Sequence, residues 1–493
     1  MNKNFKNSEE IKFDNSYARL PEKFYSNVNP TPVKNPNLIK LNMRLADSLG
    51  INLESIDCEK VLSGNLLLDG SKPIAMAYAG HQFGHWVPQL GDGRAILLGE
   101  VIDVKGDRRD IQLKGCGPTP FSRMGDGRAW LGPILREYAL SEAMQNMGVP
   151  TTRALSAMST GENVYREEEF PGAILTRVAY SHVRVGTFQY FAARHDLEAL
   201  KILADYVINR HYDSCARDNN PYLSLLKEVI KRQALLVSKW MGIGFIHGVL
   251  NTDNTSIFGE TIDYGPCAFM DEYNSNKVFS SIDQTGRYAY RNQPEIIRWN
   301  LACFASCLLP LINEDEKKAI SLAQNAVDEF PSLYKSYWIK IFRNKIGLAK
   351  EYENDEELIN ALLNLMEINK TDFSLTFRSL SKLVINNNDM QFKNYFLNQN
   401  KINDWIDKWK NRLSLEDKDN KNIFKFINSI NPAYIPRNHI IEEIISEALK
   451  GDYSYFEMLN KVLTKPYDEQ KQYKNYKRSP DANQIVTQTF CGT

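Results

Sequence analysis

The order of the predicted secondary structure is the feature that most constrains the fold of this chain. Short, largely apolar segments typical of strands occupy residues 75–185 and surround a single helical segment, whereas long amphipathic helical patterns dominate from Thr187 onward. A strand-rich unit that precedes a helical unit is typical of α+β proteins, in which sheet and helices are segregated. The sequence therefore predicts a small β-rich unit followed by a larger helical unit.

The strand-rich part contains a predicted hairpin, one helix and a second pair of strands. We place a turn at Gly161–Asn163 between the last two strands, because glycine and asparagine are common turn residues. The helix can begin at Pro133 and end at Gly148, since proline is tolerated only in the first helical turn. The predicted segments are strand 94–104, strand 110–114, helix 134–147, strand 152–160 and strand 172–178.

Beyond the strand-rich part, the spacing of apolar residues predicts helices over residues 196–210, 222–240 and 294–309. Further helical patterns rich in Lys, Glu and Asn follow from Asn313 to the polar tail. These shifts in pattern divide the chain into an N-terminal extension at 1–70, a β-rich lobe at 71–186, a helical lobe at 187–330, and a helical extension with a tail at 331–493.

Charge and hydropathy narrow the classes of partner. Lys plus Arg and Asp plus Glu both number 60, so the chain has no basic surplus of the kind that nucleic-acid and membrane-surface binders carry. No stretch is expected to reach the apolar length of a membrane helix. Met1–Glu10 is polar and lacks the apolar run of a signal peptide. We therefore expect a cytoplasmic protein, monomeric, that binds neither nucleic acid nor membrane.

Cysteine and histidine spacing gives no metal motif. The seven cysteines show no C-x-x-C pair, so neither a structural zinc site nor a disulfide scaffold is indicated. His81 and His85 have the spacing of zinc ligands on a helix, but Gly80 and Gly84 disfavour a helix there, so turn or packing roles are favoured. Cys491, in the polar tail, could form a reversible disulfide that gates activity or could be an inert thiol.

The segment that begins at His247 carries the strongest chemical pattern. Protein kinases have H-R-D-x-x-x-x-N followed by D-F-G. Counted from His247, the metal-binding asparagine of that pattern falls on Asn254, and Asp263 opens an Asp-Tyr-Gly variant of D-F-G. A carboxylate, an amide and phosphate oxygens suit Mg²⁺ or Mn²⁺. The position of the kinase base, however, is occupied by Val249.

Phosphate-binding candidates precede this segment in the chain. Lys114 ends a predicted strand and Glu137 lies in the following helix, in the order of the kinase lysine and the glutamate that orients it. Two glycine turns with the same Gly-Asp-Gly-Arg sequence, Gly91–Arg94 and Gly125–Arg128, could bring backbone N–H groups close to phosphate. Each feature taken singly is also ordinary for a surface residue or a hairpin turn.

The motifs together resemble the selenoprotein O family. The resemblance is specific in Leu90–Arg94, Met124–Ala129 and Asn251–Asn254, and it covers nearly the whole chain. It implies a protein kinase-like two-lobed fold, a nucleoside triphosphate bound in inverted orientation, and transfer of AMP, or of UMP, to Ser, Thr or Tyr hydroxyls of proteins with release of pyrophosphate.

The same resemblance implies roles for individual residues of this chain. Asp253 is the implied base, and Lys114 with Glu137 completes the catalytic set. The implied metal ligands are Asn254 and Asp263, for Mg²⁺ or Mn²⁺. The implied contacts to the nucleotide, ATP as substrate, are Gly91, Gly93, Arg94, Lys114, Asp126, Gly127, Arg177, Arg184 and Asp263. Two alternatives remain open: a phosphotransferase that uses Asp253 as a displaced kinase base, and a nucleotide-binding scaffold without catalysis.

Overall fold

The computed structural model describes residues 11–386, 390–397 and 399–490 of the chain. Cys491 lies outside the described residues, so the expectation about its thiol stays a prediction. Within the described residues the chain is a mixed α+β protein with one large antiparallel sheet and many helices. The α+β class predicted from the sequence is therefore confirmed.

The sheet assembles strands from the first 180 residues. Its order is β1-β3-β6-β7-β10-β9-β2, β8 pairs with β10, and all the pairings are antiparallel. Two short two-stranded ribbons, β4–β5 and β11–β12, lie outside it. The strands are β1 Tyr25–Asn27, β2 Asn37–Leu41, β3 Ile74–Met76, β4 Gly80–Gln82, β5 His85–Val87, β6 Ala95–Ile102, β7 Arg108–Lys114, β8 Ala129–Trp130, β9 Arg153–Tyr165, β10 Glu169–Ala179, β11 Phe245–Ile246 and β12 Ala268–Phe269.

The helices follow the predicted segments closely in the central part of the chain. The four helices predicted over residues 134–147, 196–210, 222–240 and 294–309 are confirmed as α3, α5, α6 and α7. The helices are α1 Met43–Leu49, α2 Cys58–Leu62, α3 Leu131–Asn146, α4 Val185–Ala192, α5 Leu197–His211, α6 Pro221–Ile243, α7 Gln293–Ile312, α8 Glu316–Asp328, α9 Phe330–Lys345, α10 Asp355–Asn369, α11 Phe373–Asn386, α12 Met390–Lys393, α13 Gln399–Leu413, α14 Asn420–Ile430, α15 Asn438–Leu449 and α16 Ser454–Leu463.

Helix α3 is the element that links the sheet to the rest of the molecule. One face of the sheet buries α3, whose Leu135 and Ala139 are fully buried in a core that continues into α5, α6 and α7. The other face packs against α1 and α2 through Leu45 and Leu62. A separate core joins α9, α10, α11 and α13 around Trp409. Glu137 is thereby held between sheet and helices, in a position that packing fixes from both sides.

Two expectations from the sequence are wrong. Residues 161–163 do not form a turn, because β9 continues to Tyr165 and Gly161, with φ of +68°, instead shifts the pairing register with β10. This glycine is needed there because a side chain would meet Asn35. The segment Tyr290–Ile312 does have the length and composition of a membrane helix, contrary to expectation. It packs as α7 against α4, α6 and α8, so burial in the protein explains its apolar character.

Candidate active site

A cavity of about 510 Å³ lies where the sheet meets the helical part of the chain. It gathers residues from both glycine turns, from the ends of β7 and β10, and from the loop after β11. All the residues that the sequence predicted to bind nucleotide or metal line it: Gly91, Gly93, Arg94, Lys114, Asp126, Gly127, Arg177, Arg184, Asn254 and Asp263, together with the predicted base Asp253. The fold therefore brings residues up to 172 positions apart, Gly91 and Asp263, into one site.

Lys114 and Glu137 form a buried ion pair at the back of the cavity. Lys114 Nζ lies 2.5 Å from Glu137 Oε2, and the carboxylate also receives two bonds from Arg177, at 2.6 and 2.9 Å. Burial alone would raise the pKa of Glu137, but the charges of Arg177 and Lys114 lower it below its ordinary value. Glu137 is thus an anion that fixes the direction of two cations.

Asp263 is the centre of the charge cluster. Its Oδ1 lies 2.6 Å from Arg177 Nη2 and 3.4 Å from Lys114 Nζ, and its Oδ2 lies 2.9 Å from Arg184 Nη1. Burial opposes ionisation, yet these three cations hold the pKa of Asp263 well below its ordinary value. Arg184 also donates to the carbonyl oxygen of Asp253 at 2.8 Å. Lys114, Arg177 and Arg184 therefore converge on one point at the cavity wall.

The glycine turns are explained by close packing of the protein on itself. Gly91 has φ of +80°, and a Cβ there would lie 2.3 Å from the ring of Phe121. Gly127 has φ of +64°, and a Cβ there would lie 2.1 Å from the backbone of Gly117. Both turns thus need glycine for conformation and for space. Arg94, next to the first turn, lines the cavity and forms no salt bridge among the described residues.

Asp253 is a buried carboxylate whose environment suits a proton acceptor. Its Oδ2 accepts a bond of 3.3 Å from Gln82 Nε2, and its Oδ1 has no hydrogen-bond partner among the described residues. Burial raises its pKa to about 6, against the opposing charge of Arg184. A carboxylate with this pKa is largely ionised at neutral pH and can still take up a proton.

Asn254 follows Asp253 in the chain and lines the cavity. Its Nδ2 donates to the Val249 carbonyl at 2.9 Å, which leaves Oδ1 as the acceptor. Across residues 11–386, 390–397 and 399–490, no group of three His, Cys, Asp or Glu side chains forms a metal site from protein ligands alone. One amide and one carboxylate fit a hard divalent cation that takes its remaining ligands from phosphate and water.

Three residues of the site were missed by sequence reasoning. Asp92 is buried, accepts from the backbone N–H of Met76 at 3.1 Å, and lies 3.8 Å from Arg184. Tyr78 places its ring 4.6 Å from the Arg184 guanidinium, and Gln82 contacts Asp253. Asp92 lies within the turn Gly91–Arg94, which the sequence did indicate as a candidate for phosphate binding. Tyr78 and Gln82 belong to segment 78–84, which also resembles the selenoprotein O family, but the sequence does not show that they contact Arg184 and Asp253.

The arrangement defines a site for a phosphorylated anion next to a proton acceptor. Fixed cations in a cavity of low dielectric stabilise charge that develops on phosphate oxygens, and they need no reorganisation to do so. The amide of Asn254 and the carboxylate of Asp263 line the same cavity. Chemically, this is the site of an enzyme that transfers part of a nucleoside triphosphate.

Comparison with known proteins agrees with this class. Residues 7–464 match the family model described as protein adenylyltransferase SelO. The chain is 53% identical over 487 residues to a protein named protein nucleotidyltransferase YdiU from Rhizobium meliloti (strain 1021), covering 98% of this chain and 99% of that protein. Proteins of the same name from Bradyrhizobium sp. (strain BTAi1) and Rhizobium rhizogenes (strain K84) are each 54% identical, with 98% of this chain covered and 99% and 97% of theirs. The chain belongs to the SelO family of protein adenylyltransferases.

Proposed function

We propose that this protein transfers a nucleoside monophosphate, AMP or UMP, from a nucleoside triphosphate to hydroxyl groups of protein substrates and releases pyrophosphate. The single observation that carries the proposal is the convergence of Lys114, Arg177 and Arg184 on Asp263, within the cavity that also holds Asp253. Family membership and the names of the relatives agree with it.

The three cations are suited to hold the outer phosphates. Arg177 and Lys114 are fixed by Glu137, and Arg184 is fixed by the carbonyl oxygen of Asp253. A triphosphate bound with its β- and γ-phosphates at these cations has its α-phosphate nearer the cavity mouth. The charge that builds up on pyrophosphate as it leaves is then neutralised by fixed donors. This inverted placement is the reason we favour nucleotidyl transfer over phosphotransfer.

Asp253 is the residue proposed to accept the proton of the attacking hydroxyl. The hydroxyl oxygen of Ser, Thr or Tyr forms a bond to the α-phosphorus while the bond from that phosphorus to the bridging oxygen of pyrophosphate breaks. The proton passes to the carboxylate of Asp253, which lines the cavity and has no hydrogen-bond partner at Oδ1 among the described residues. Val249 occupies the position of the kinase base and cannot do this.

Asn254 and Asp263 are proposed to hold Mg²⁺ or Mn²⁺. The Oδ1 atom of Asn254 is left available by its Nδ2 bond, and Asp263 is ionised throughout the physiological range because its pKa is low. A divalent cation held by Asn254 and Asp263 would supply positive charge that offsets the negative charge of the phosphates. The protein itself contributes the orientation of these two ligands.

We also propose that the framework is a protein kinase-like two-lobed fold. Two features support this: an antiparallel sheet packs on the helix of Glu137, and the helices that follow flank the loop of residues 251–254. In this framework the helical residues from 331 onward form an extension. The cytoplasmic location and the monomeric state stay predictions.

Product analysis tests the proposed function. The protein is incubated with ATP, either Mg²⁺ or Mn²⁺, and a protein extract, and the released phosphates are separated. Pyrophosphate is the expected product, in parallel with AMP bound to protein through an ester. Release of ADP in place of pyrophosphate would show phosphotransfer, and ATP binding without any product would show a scaffold.

A further inference from the structure

A row of aromatic rings that ends in an arginine lies outside the nucleotide cavity. We call it the hairpin surface and define it by His81, Trp86, Arg287 and Trp299. The His81 ring is 4.9 Å from Trp86 and 5.0 Å from Trp299, and Cζ of Arg287 is 4.9 Å from the Trp299 ring. Trp86 is 40% exposed, which is unusual for so large an apolar side chain. The packing role predicted for His81 is confirmed by these ring contacts.

The hairpin surface is attached directly to the loop that carries Asp253. In the β4–β5 ribbon the backbone N–H of Phe83 donates to Asn251 Oδ1 at 3.0 Å, and Gln82 contacts the Asp253 carboxylate. From the other side, the Tyr288 hydroxyl donates to Asn251 Oδ1 at 2.5 Å, immediately after Arg287 in the chain. The hairpin surface is therefore anchored from two sides to the loop that carries Asp253.

Arg287 carries the positive charge of the hairpin surface. The nearest acid in the sequence, Asp283, accepts from the backbone N–H groups of Arg287 and Tyr288 at 2.9 and 2.8 Å, not from the guanidinium. The guanidinium of Arg287 forms no salt bridge among the described residues, and its Nε is buried there without a hydrogen-bond partner. An arginine that lacks a carboxylate inside a folded protein is suited to pair with one from outside.

We propose that the hairpin surface binds the protein substrate next to the modified hydroxyl, and that Arg287 selects substrates with an acidic side chain close to that hydroxyl. This inference rests on the proposed function and names the substrate class of that site. Exposed tryptophan and arginine are the residues that contribute most to protein–protein interfaces, which supports a peptide as the occupant. The carboxylate of the substrate would pair with Arg287 while its apolar neighbours pack on Trp86 and Trp299.

Synthetic peptides test the inference. Each peptide carries one Ser, Thr or Tyr, flanked by Glu, Gln or Lys at successive positions, and kcat/KM is measured with ATP labelled on the α-phosphate. We expect the best Glu peptides to exceed their Gln counterparts by about threefold to tenfold, the range of one partly desolvated charge pair. Arg287→Glu should reverse the order, so that Lys peptides become the better substrates.

A matched control is available on α7. Arg298 is adjacent to Trp299 in sequence but pairs with Asp328 of α8 at 2.9 Å, so Arg298→Glu should keep the preference for acidic peptides. Arg287→Gln removes the charge alone and should abolish the preference for acidic peptides. It also keeps the test decisive if Arg287→Glu does not fold.

The outcomes separate the inference from the function it rests on. Equal labelling of Glu, Gln and Lys peptides by the unaltered protein, or the same preference in Arg287→Gln, would overturn the role of Arg287. Labelling of proteins but of no peptide would overturn local recognition at this surface. Calorimetry with ATP is run on each protein, and the absence of both ATP binding and any labelling would overturn the proposed function itself.

Discussion

Adding a single methyl group at Gly80 should disable the proposed base without touching the nucleotide. A Cβ at Gly80 would lie 2.6 Å from Asp253 Oδ1, 2.9 Å from its Cβ and 3.1 Å from its Cγ. The backbone of Gly80 is not in the left-handed region, so alanine can adopt its conformation. The effect of Gly80→Ala therefore comes from the overlap between the new Cβ and the side chain of Asp253.

The size of the displacement follows from the structure. An ordinary contact begins at 3.4 Å, so Oδ1 of Asp253 must retreat by about 0.8 Å from the new methyl group. A misplacement of about 1 Å in a reacting group can lower the rate by about 10²-fold. We expect Gly80→Ala to lower kcat by that order and to leave the affinity for ATP within about twofold.

A double-mutant cycle with Asp253→Ala checks the cause. The assay follows α-label transfer to protein, and Asp253→Ala by itself should lose activity to a similar or larger extent. If Gly80 acts through Asp253, Gly80→Ala should cause almost no further loss in the Asp253→Ala background. A kcat for Gly80→Ala close to that of the unaltered protein, or a full 10²-fold loss in both backgrounds, would refute the reasoning.

Three further predictions concern the charged groups. Asp263→Ala should abolish transfer, whereas an unchanged activity would show that Asp263 is not a ligand. Arg177 keeps Glu137 but Arg184 loses its closest carboxylate, so the same change should lower the free energy of unfolding by about 1–3 kcal/mol in urea titrations. The pKa of about 6 for Asp253 predicts that kcat/KM rises as pH increases through 6, and a pH profile without that limb would contradict the role of base. Burial raises the pKa of Glu260 to about 8. The protonated form of Glu260 therefore stabilises the fold at low pH, and that stability is lost as pH rises through 8. Glu260→Gln should remove this pH dependence, as chemical denaturation from pH 6 to pH 9 would show.

The sequence predicted well those parts of the fold that depend on local pattern. The helix of Glu137 has good helix formers between Pro133 and Gly148, the hairpin that ends at Lys114 has clear turn residues, and the predicted positions of both are confirmed. The prediction failed at Gly161, where a glycine normally read as a turn instead forms an irregularity in a long strand. A glycine with positive φ occurs both in turns and in strand irregularities. Which of the two forms here depends on the pairing of β9 with β10.

The candidate site was predictable as far as its residues form ordered motifs. Asn254 and Asp263 were found by their register from His247, and they line the same cavity. The contact of Gln82 with Asp253 could not be found in this way, because it depends on how the β4–β5 ribbon packs on a loop about 170 residues further along. The contact of Tyr78 with Arg184 likewise joins residues that are distant in sequence. Contacts of this kind are set by tertiary packing, on which local sequence gives no information.

The identity of the phosphorus that is attacked is the central claim, and a paired labelling experiment tests it directly. The protein and a protein extract are incubated in parallel with ATP labelled on the α-phosphate and with ATP labelled on the γ-phosphate. If Lys114, Arg177 and Arg184 hold the outer phosphates, protein acquires the α-label and none of the γ-label. Incorporation of the γ-label alone would contradict the account and would identify the chain as a phosphotransferase.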